Sequence, residues 1–258
     1  MPRIMRTVVP RIRKSLEERG VFVSLCRSFL LPVHLFQEYR NVKRRQPIHE
    51  RSDFDRNYQV DTDGDFDGWT HLSDLNIPSP NWIRGNSYVP IEPSRFHAIL
   101  ERMNLKFDDY VFIDFGSGKG RALLMASEFP FKRVMGIEFS PELHLIAQRN
   151  IAKFGSQRRR CDSVESTCMD FAEFVLPPEP SVLFFFDPCD ETILAKLLSK
   201  IDRSVESNPR PLYLIYVAPT TSKRKLLESI GIKVKLSDDA QYNFCLYRFC
   251  EMRRAELP

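Results

Sequence analysis

The sequence of 258 residues predicts an α/β fold built on a doubly wound, seven-stranded, mostly parallel sheet with a C-terminal antiparallel hairpin and a helical N-terminal extension. From residue 94 onward, short apolar runs alternate with segments whose apolar residues recur at helical spacing. The last two runs are joined by a short polar turn, which is typical of a hairpin. The composition, 43% hydrophobic and 28% charged, is that of an ordinary globular chain.

The predicted elements succeed each other in the order βαβαβ, βα, βα, ββ. Strands are predicted over 110–115, 133–138, 164–169, 182–186, 212–217, 232–236 and 242–249. Helices are predicted over 121–128, from Ser140, around 193–201 and over 222–229, and a further helix capped by Ser94 precedes the first strand. Ser140-Pro141 is a typical helix start, an N-cap followed by proline at the first helical position. Such alternation indicates parallel strands joined by helical crossovers.

Positive charge is concentrated at one end of the chain. Residues 1–60 hold 13 Lys and Arg against 6 Asp and Glu, a net charge of +7, although the whole chain carries +4. We therefore distinguish a basic helical arm (1–45), an irregular segment (46–93) that is a candidate cover for a cofactor or substrate, and an α/β domain (94–258). The arm is a candidate contact for a polyanion, either nucleic acid or anionic lipid. The alternative is a solvated helix docked on the domain.

An acidic loop in the irregular segment has the spacing of a calcium-binding loop. The pattern D-x-D-x-D-G-x5-[DE] is matched by Asp63, Asp65, Asp67, Gly68 and Asp74. Its twelfth position is Asp where a bidentate Glu is usual, so an acidic, solvated loop is the alternative to calcium binding. The five histidines are scattered without the spacing of zinc ligands, and we expect no resident metal.

The sequence also bears on location. Its longest apolar stretch, 21–37, is interrupted by Arg27, Pro32 and His34, so no membrane span is predicted. The Arg-rich beginning has no apolar core with a small-residue cleavage site, so we expect no secretory signal. The six cysteines form no CxxC pair and are expected to be reduced thiols, which favours the cytoplasm.

The strongest motif is VFIDFGSGKGRALLMAS, residues 111–127. An apolar strand ends in Asp114 and continues through Gly116, Ser117, Gly118 and Gly120 into a helix. Glycines let the backbone turn tightly and approach a ligand closely, at the edge where open α/β sheets bind their ligands. An acid two positions before the first glycine suits a ligand that carries a cation, such as an amino-acid ammonium group.

The spacing of the glycines excludes two common nucleotide sites. A dinucleotide fingerprint, GxGxxG, needs its third glycine at position 121, where this chain has Arg121. A P-loop needs Ser or Thr after its lysine, whereas Lys119 is followed by Gly120. The motif is therefore GxGxG, without the cradle for a pyrophosphate.

Three more acids follow the ends of the next strands. Glu138 ends the second strand and is a candidate acceptor for both hydroxyls of a ribose. Asp170-Phe171 follows the third strand, where the carboxylate would hydrogen-bond an adenine amino group and the ring would cover the base. Asp187 follows the fourth strand. The alternative is that these acids only cap helices, which Asp often does.

These residues carry a resemblance to a known family. DFGSGKG (114–120), GIEFS (136–140), MDF (169–171) and FFFDPCD (184–190) resemble the Rossmann-like class I S-adenosylmethionine-dependent methyltransferases. The chain from about Tyr88 onward looks most like a bacterial group of undefined substrate and is faintly similar to the lysine methyltransferases of the Dot1 type.

The resemblance implies S-adenosylmethionine as cofactor and a role for each motif. The turn from Gly116 to Gly120 would hold the methionine part, Glu138 the ribose, and Asp170 with Phe171 the adenine. Phe139 either lies against the adenine or belongs to the core. Tyr88 either closes over the site or packs in a plain turn.

The fourth motif concerns the methyl acceptor. Members of the family that methylate amines often carry (D/N)PP(Y/F) after the fourth strand, whereas this chain has Asp187, Pro188, Cys189 and Asp190. The second proline and the aromatic residue are absent, which disfavours nucleobase methylation. Asp187 remains the candidate that orients a nitrogen or oxygen nucleophile, with Tyr88, Pro188 and Cys189 as candidate substrate contacts.

Together these observations predict an enzyme that transfers a methyl group to an N or O nucleophile. The acceptor is a protein lysine, a small molecule or a nucleic acid. The alternative is a non-catalytic module that binds S-adenosylmethionine, or that binds nucleic acid through the basic arm.

Overall fold

The computed structural model describes residues 51–64, 69–155, 158–229 and 233–249. The predictions for the basic arm (1–45) and for the middle of the acidic loop (65–68) lie outside the described residues. None of the described helices is long and apolar enough to cross a membrane.

One seven-stranded sheet runs through the described residues. Its strands are β1 Val111–Phe115, β2 Arg133–Glu138, β3 Val164–Cys168, β4 Ser181–Phe186, β5 Leu212–Val217, β6 Lys233–Asp239 and β7 Phe244–Phe249. They lie in the order β3-β2-β1-β4-β5-β7-β6. β1 to β5 are mutually parallel, and β7 is antiparallel to both β5 and β6. The predicted fold class is confirmed. The strand order reverses between β1 and β4. The topological switch point, where open α/β sheets bind their ligands, therefore lies at the carboxyl ends of these two strands.

Six helices of the described chain connect and cover the strands. They are α1 Arg51–Tyr58, α2 Pro93–Glu101, α3 Arg121–Ala126, α4 Pro141–Lys153, α5 Glu191–Ser207 and α6 Thr221–Ser229. α2 and α3 pack on one face of the sheet, where Phe112 and Phe184 point, and α5 and α6 pack on the other, with Ile113 and Phe185. Because both faces of the sheet are covered, the side chains of the central strands are buried whichever face they point to.

Two predicted helix starts have different outcomes. The Ser140 side chain accepts a hydrogen bond from the Leu143 backbone N–H at 3.3 Å, so Ser140 is the N-cap of α4 as predicted. The prediction that Ser94 caps α2 is wrong, because α2 begins at Pro93 with Glu92 at the N-cap position. Proline is favoured at the first helical position, since its ring fixes a helical φ and its missing N–H is not needed there.

The segment before the α/β domain is less irregular than the sequence predicts. It contains α1 and two short 3-10 turns, Leu72–Asp74 and Pro80–Arg84. Leu72 and Trp82 are buried against Leu143 of α4 in a small apolar cluster of their own. The segment is therefore packed onto the sheet edge that carries the glycine motif.

Candidate functional site

A cleft of about 60 Å³, partly open to solvent, lies at the carboxyl edge of β1, β2 and β4. It is bordered by the glycine turn (116–120), by the ends of these strands and by residues 84–91, which we call the strap. The structure brings nine of the predicted site residues to its wall: Tyr88, Asp114, Gly116, Ser117, Glu138, Phe139, Phe171, Asp187 and Pro188. Four others lie outside its lining: Gly118, Gly120, Asp170 and Cys189.

The glycine turn has a backbone that side chains would not tolerate. Gly116 and Gly118 have φ values of +82° and +54°, in the left-handed region. A Cβ on Gly116 would lie 2.9 Å from the Cβ of Pro188, and one on Gly118 would lie 2.0 Å from Cδ2 of Tyr88. Any residue other than glycine would therefore be strained at these positions. The turn is enclosed by the strap and by the loop after β4.

Glu138 joins the end of β2 to the glycine turn. Its carboxylate accepts hydrogen bonds from the backbone N–H of Gly118 and of Ser140, each at 2.8 Å. Burial raises the pKa of Glu138 to about 7, although these backbone hydrogen bonds lower it. Because each carboxylate oxygen has two lone pairs, Glu138 retains acceptor capacity toward the cleft that it lines.

Asp114 lies beside Glu138 at the end of β1. Burial, together with the neighbouring charge of Glu138, raises the pKa of Asp114 to about 8. Ser117 Oγ in the same wall is buried and has no hydrogen-bond partner among the residues described. Two desolvated acids and an unsatisfied hydroxyl suit a ligand that carries both a cation and hydroxyl groups.

The strap is fastened on both sides of the cleft. Tyr88 pairs with Thr70 through two backbone hydrogen bonds of 3.0 Å, and its hydroxyl donates to the Thr62 carbonyl at 2.7 Å. The Asn86 N–H donates to the Pro188 carbonyl at 3.0 Å, and Gly85 forms an antiparallel bridge with Cys189. Burial raises the pKa of Tyr88. The strap therefore links Thr62 and Thr70 to the loop after β4.

Asp170 does not line the cleft itself, and its carboxylate already has partners in the chain. Its Oδ2 accepts hydrogen bonds from Ser79 Oγ at 2.6 Å and Asn81 Nδ2 at 2.7 Å, and its Oδ1 accepts one from the Ala172 N–H at 2.9 Å. Phe171 does line the cleft and packs edge-on against Phe115, with ring centroids 6.1 Å apart. The carboxylate thus fastens the 3-10 turn at 80–84, and the ring faces the ligand space.

Asp187 forms a buried ion pair that the sequence analysis missed. Its Oδ1 accepts hydrogen bonds from Lys223 Nζ of α6 and, at 3.0 Å, from the Tyr216 hydroxyl of β5. The signal was present, because Lys223 lies four residues before the buried Leu227 and so shares its helix face. Cys189 lies in the core beneath this loop, where burial raises its thiol pKa.

Two buried cations of the glycine motif are held by the segment that contains α1. Lys119 Nζ lies 3.0 Å from Asp61 Oδ1. The Arg121 guanidinium contacts three side chains of that segment: Thr62 Oγ1 at 2.6 Å, Asp63 Oδ1 at 2.6 Å and Asp55 Oδ1 at 3.2 Å. Asp63 of the predicted calcium loop is therefore engaged in an ion pair. Within the described ranges, His, Cys, Asp and Glu form no group of three or more that would hold a metal.

Comparison with known proteins gives one family match. Residues 84–166, about a third of the chain, match the family model described as "Histone methylation protein DOT1". This range contains the strap, the glycine turn, Glu138 and most of β3. No curated protein matches the chain significantly.

Solved structures similar to the chain include methyltransferases. An RNA methyltransferase from Salinibacter ruber in complex with S-adenosyl-L-homocysteine is 20% identical over 66% of this chain and 97% of its own, with a TM-score of 0.43. A tRNA (m1A58) methyltransferase from Aquifex aeolicus is 19% identical, over 65% and 79%, with a TM-score of 0.45.

A predicted N6-adenine-specific DNA methylase from Listeria monocytogenes is 14% identical, with a TM-score of 0.46, and here the match spans 63% of this chain and about half of that protein, 52%. By its own strand order the chain has a doubly wound α/β fold, and over residues 84–166 it is similar to the Dot1 histone methylation family.

Proposed function

We propose that this protein is an S-adenosylmethionine-dependent methyltransferase that acts on a nitrogen or oxygen nucleophile. The observation that carries the proposal is the pair of buried acids, Asp114 and Glu138, beside a glycine turn at the cleft wall. Burying two carboxylates without a cation between them is costly, and a cationic ligand with hydroxyl groups offsets that cost. S-adenosylmethionine carries an ammonium group, a sulfonium and a ribose.

Each part of the cofactor has a proposed partner. Asp114 and the turn from Gly116 to Gly120 take the methionine part, with Ser117 Oγ as an additional hydrogen-bonding group, and Glu138 takes the ribose hydroxyls. Phe139 and Phe171 border the adenine. Asp170 is the proposed acceptor for the adenine amino group in addition to its contacts with Ser79 and Asn81, since a carboxylate offers about four acceptor positions. When bound, the cofactor supplies an electrophilic methyl group.

We assign the acceptor to the opposite wall, at Asp187. Its carboxylate, held by Lys223 and Tyr216, orients the nucleophile by accepting a hydrogen bond. Tyr88 and Pro188 border the acceptor, while Cys189 supports the loop from beneath. Positioning of this kind lowers the barrier because reacting atoms are held in near-attack geometry. A neutral amine needs no general base before it attacks.

The acceptor class stays open between a protein lysine, a small molecule and a nucleic acid. A polyanion contact through the basic arm (1–45) and a cytoplasmic location remain predictions from the sequence.

Calorimetry with S-adenosylhomocysteine and NAD, followed by transfer of labelled methyl groups to fractionated host lysate, tests the proposal. We expect S-adenosylhomocysteine to bind, NAD not to bind, and one fraction to take up label. Equal affinity for NAD would overturn the cofactor assignment. Binding of S-adenosylhomocysteine without transfer to any fraction would favour the non-catalytic alternative.

A further inference from the structure

The ion pair between Lys223 and Asp187 is almost completely buried. The side chain of Lys223 is 4% exposed and that of Asp187 is 5% exposed. Burying two charges costs several kcal/mol per ion unless their mutual attraction and further hydrogen bonds compensate. A buried ion pair does not by itself indicate added stability. Its position at the wall of the cleft therefore points to a role in function.

Several elements of the fold converge on Asp187. Its backbone is left-handed, with φ +46°, and its carbonyl accepts a hydrogen bond from Asn86 Nδ2 of the strap. Its carboxylate is held by Tyr216 from β5 and by Lys223 from α6. The main chain and the side chain of this residue are therefore fixed independently, from opposite sides of the loop.

We infer that Lys223 is a positioning residue: by pairing with Asp187 it holds that carboxylate in one orientation at the acceptor wall. The inference rests on the proposed function, in which Asp187 orients the methyl acceptor. Lys223 itself does not line the cleft and acts only through Asp187.

Two of the groups close to Asp187 in the chain are acids. Asp190 and Glu191 follow it within four residues, and both act electrostatically on Cys189, as Asp187 does. Without Lys223, the buried Asp187 carboxylate would lose a buried cation and keep these negative neighbours.

A double-mutant cycle separates this role from simple packing. Lys223→Met and Asp187→Asn each leave one buried group without its ion-pair partner, whereas the double variant removes both charges.

Urea unfolding at constant pH of the parent, of both single variants and of the double variant Lys223→Met/Asp187→Asn measures this. We expect the double variant to lose less stability than the two single variants lose in sum. Strictly additive losses would show that the lysine only fills space, and would overturn the inference. This readout does not require a known acceptor.

The transfer assay gives the second readout, on the lysate fraction that accepts label. We expect Lys223→Met to lower kcat at least about tenfold while the Kd for S-adenosylhomocysteine stays within about threefold, and Lys223→Arg to restore most of kcat. Unchanged kcat in a folded Lys223→Met overturns the inference. Absence of S-adenosylhomocysteine binding by the parent protein overturns the proposed function instead, and the unfolding curves still decide whether Lys223 holds the Asp187 carboxylate.

Discussion

The ring of Tyr88 lies directly over the backbone of Gly118, where a Cβ would approach Cδ2 of the ring to 2.0 Å. The Tyr88 hydroxyl continues to the carbonyl of Thr62 at 2.7 Å. Through these two contacts the segment around α1, the strap and the glycine turn form one packed unit. The wall that faces the methionine part of the proposed ligand therefore depends on residues well outside the glycine motif.

Gly118→Ala should destabilise the protein by about 1–3 kcal/mol and weaken S-adenosylhomocysteine binding. The alanine would occupy a left-handed backbone, and its methyl group would displace Tyr88. The matched control is Gly155→Ala, because a Cβ there meets no atom within 4 Å. Urea unfolding of both variants is the measurement. Equal stability of the two variants would show that Tyr88 moves away from residue 118 without a cost in stability, and would contradict the prediction.

Asp55→Ala should destabilise the protein by about 2–4 kcal/mol, because it removes one carboxylate from the buried Arg121 and leaves the N–H groups of Thr62 and Asp63 without their acceptor. The control lies on the same helix. Asp53 is 64% exposed and pairs with Arg56 at the surface, so Asp53→Ala should cost less than about 0.5 kcal/mol. Thermal or urea unfolding compares them, and similar losses would contradict a structural role for the α1 segment.

The same contacts predict different effects for two truncations. Deleting residues 1–45 should leave the Kd for S-adenosylhomocysteine within about threefold, since no cofactor motif lies there. Deleting residues 1–64 should instead unfold the domain, because Lys119 and Arg121 lose Asp61, Asp55 and Asp63. If the arm binds a polyanion, that binding should disappear with the shorter deletion and weaken with salt.

The sheet could be predicted closely because its central strands are buried on both faces. Apolar runs such as 182–186, with a glycine or an acid at the end, permit few other structures, and the observed β4 is Ser181–Phe186. The two-face burial also makes helical crossovers necessary, so the element order follows from the pattern.

Two features of the site could not be predicted from the sequence, each for a physical reason. The helix α1 has no apolar periodicity, because its polar residue Asp55 faces a buried cation and not solvent. Lys223 and Asp187 are 36 residues apart and meet only once β4 and β5 pair. Asp170 was predicted as a ligand contact from its place after β3, a position that equally suits its hydrogen bonds to Ser79 and Asn81.

Glu138→Ala should weaken S-adenosylhomocysteine binding by about 1–3 kcal/mol, since ribose hydroxyls and the Gly118 N–H lose their acceptor. Glu165→Ala is the control, because Glu165 lies on the neighbouring β3 with its side chain 52% exposed. Calorimetry at constant pH and salt measures both. If the two variants bind equally well, the ribose site lies elsewhere.

The buried acid Asp114 predicts a pH dependence with a definite sign. Its folded-state pKa of about 8 exceeds its ordinary value of 3.8, so its contribution to stability is present at low pH and is lost as the pH rises from about 4 to 8. Asp114→Asn should therefore gain stability relative to the parent over that interval. Binding of S-adenosylhomocysteine to the parent should tighten from pH 6 to 8 as the carboxylate ionises. A pH-independent difference between the two unfolding curves would contradict this assignment.

Substitution of Asp187 tests the proposed acceptor wall, and its result must be interpreted together with the Lys223–Asp187 ion pair. Asp187→Ala should lower turnover at least about 10²-fold while S-adenosylhomocysteine affinity stays within about threefold, because its proposed role is to orient the acceptor and not to bind the cofactor. The control in the same loop is Asp190→Asn, which keeps an N-cap for α5 and should leave turnover within about threefold.

Asp187→Asn distinguishes hydrogen bonding from charge, provided that it is combined with Lys223→Met. The single variant leaves a buried ammonium beside an amide, so lost activity would mix a displaced loop with a lost carboxylate. In the double variant the amide oxygen is retained and no charge is stranded. Turnover close to that of the parent would mean that Asp187 orients a neutral nucleophile by accepting a hydrogen bond. Turnover as low as that of Asp187→Ala in a folded double variant would mean that the negative charge itself is required, and a pH–rate profile would then identify whether it removes a proton or binds a cation. Full activity of Asp187→Ala would move the acceptor site away from the end of β4.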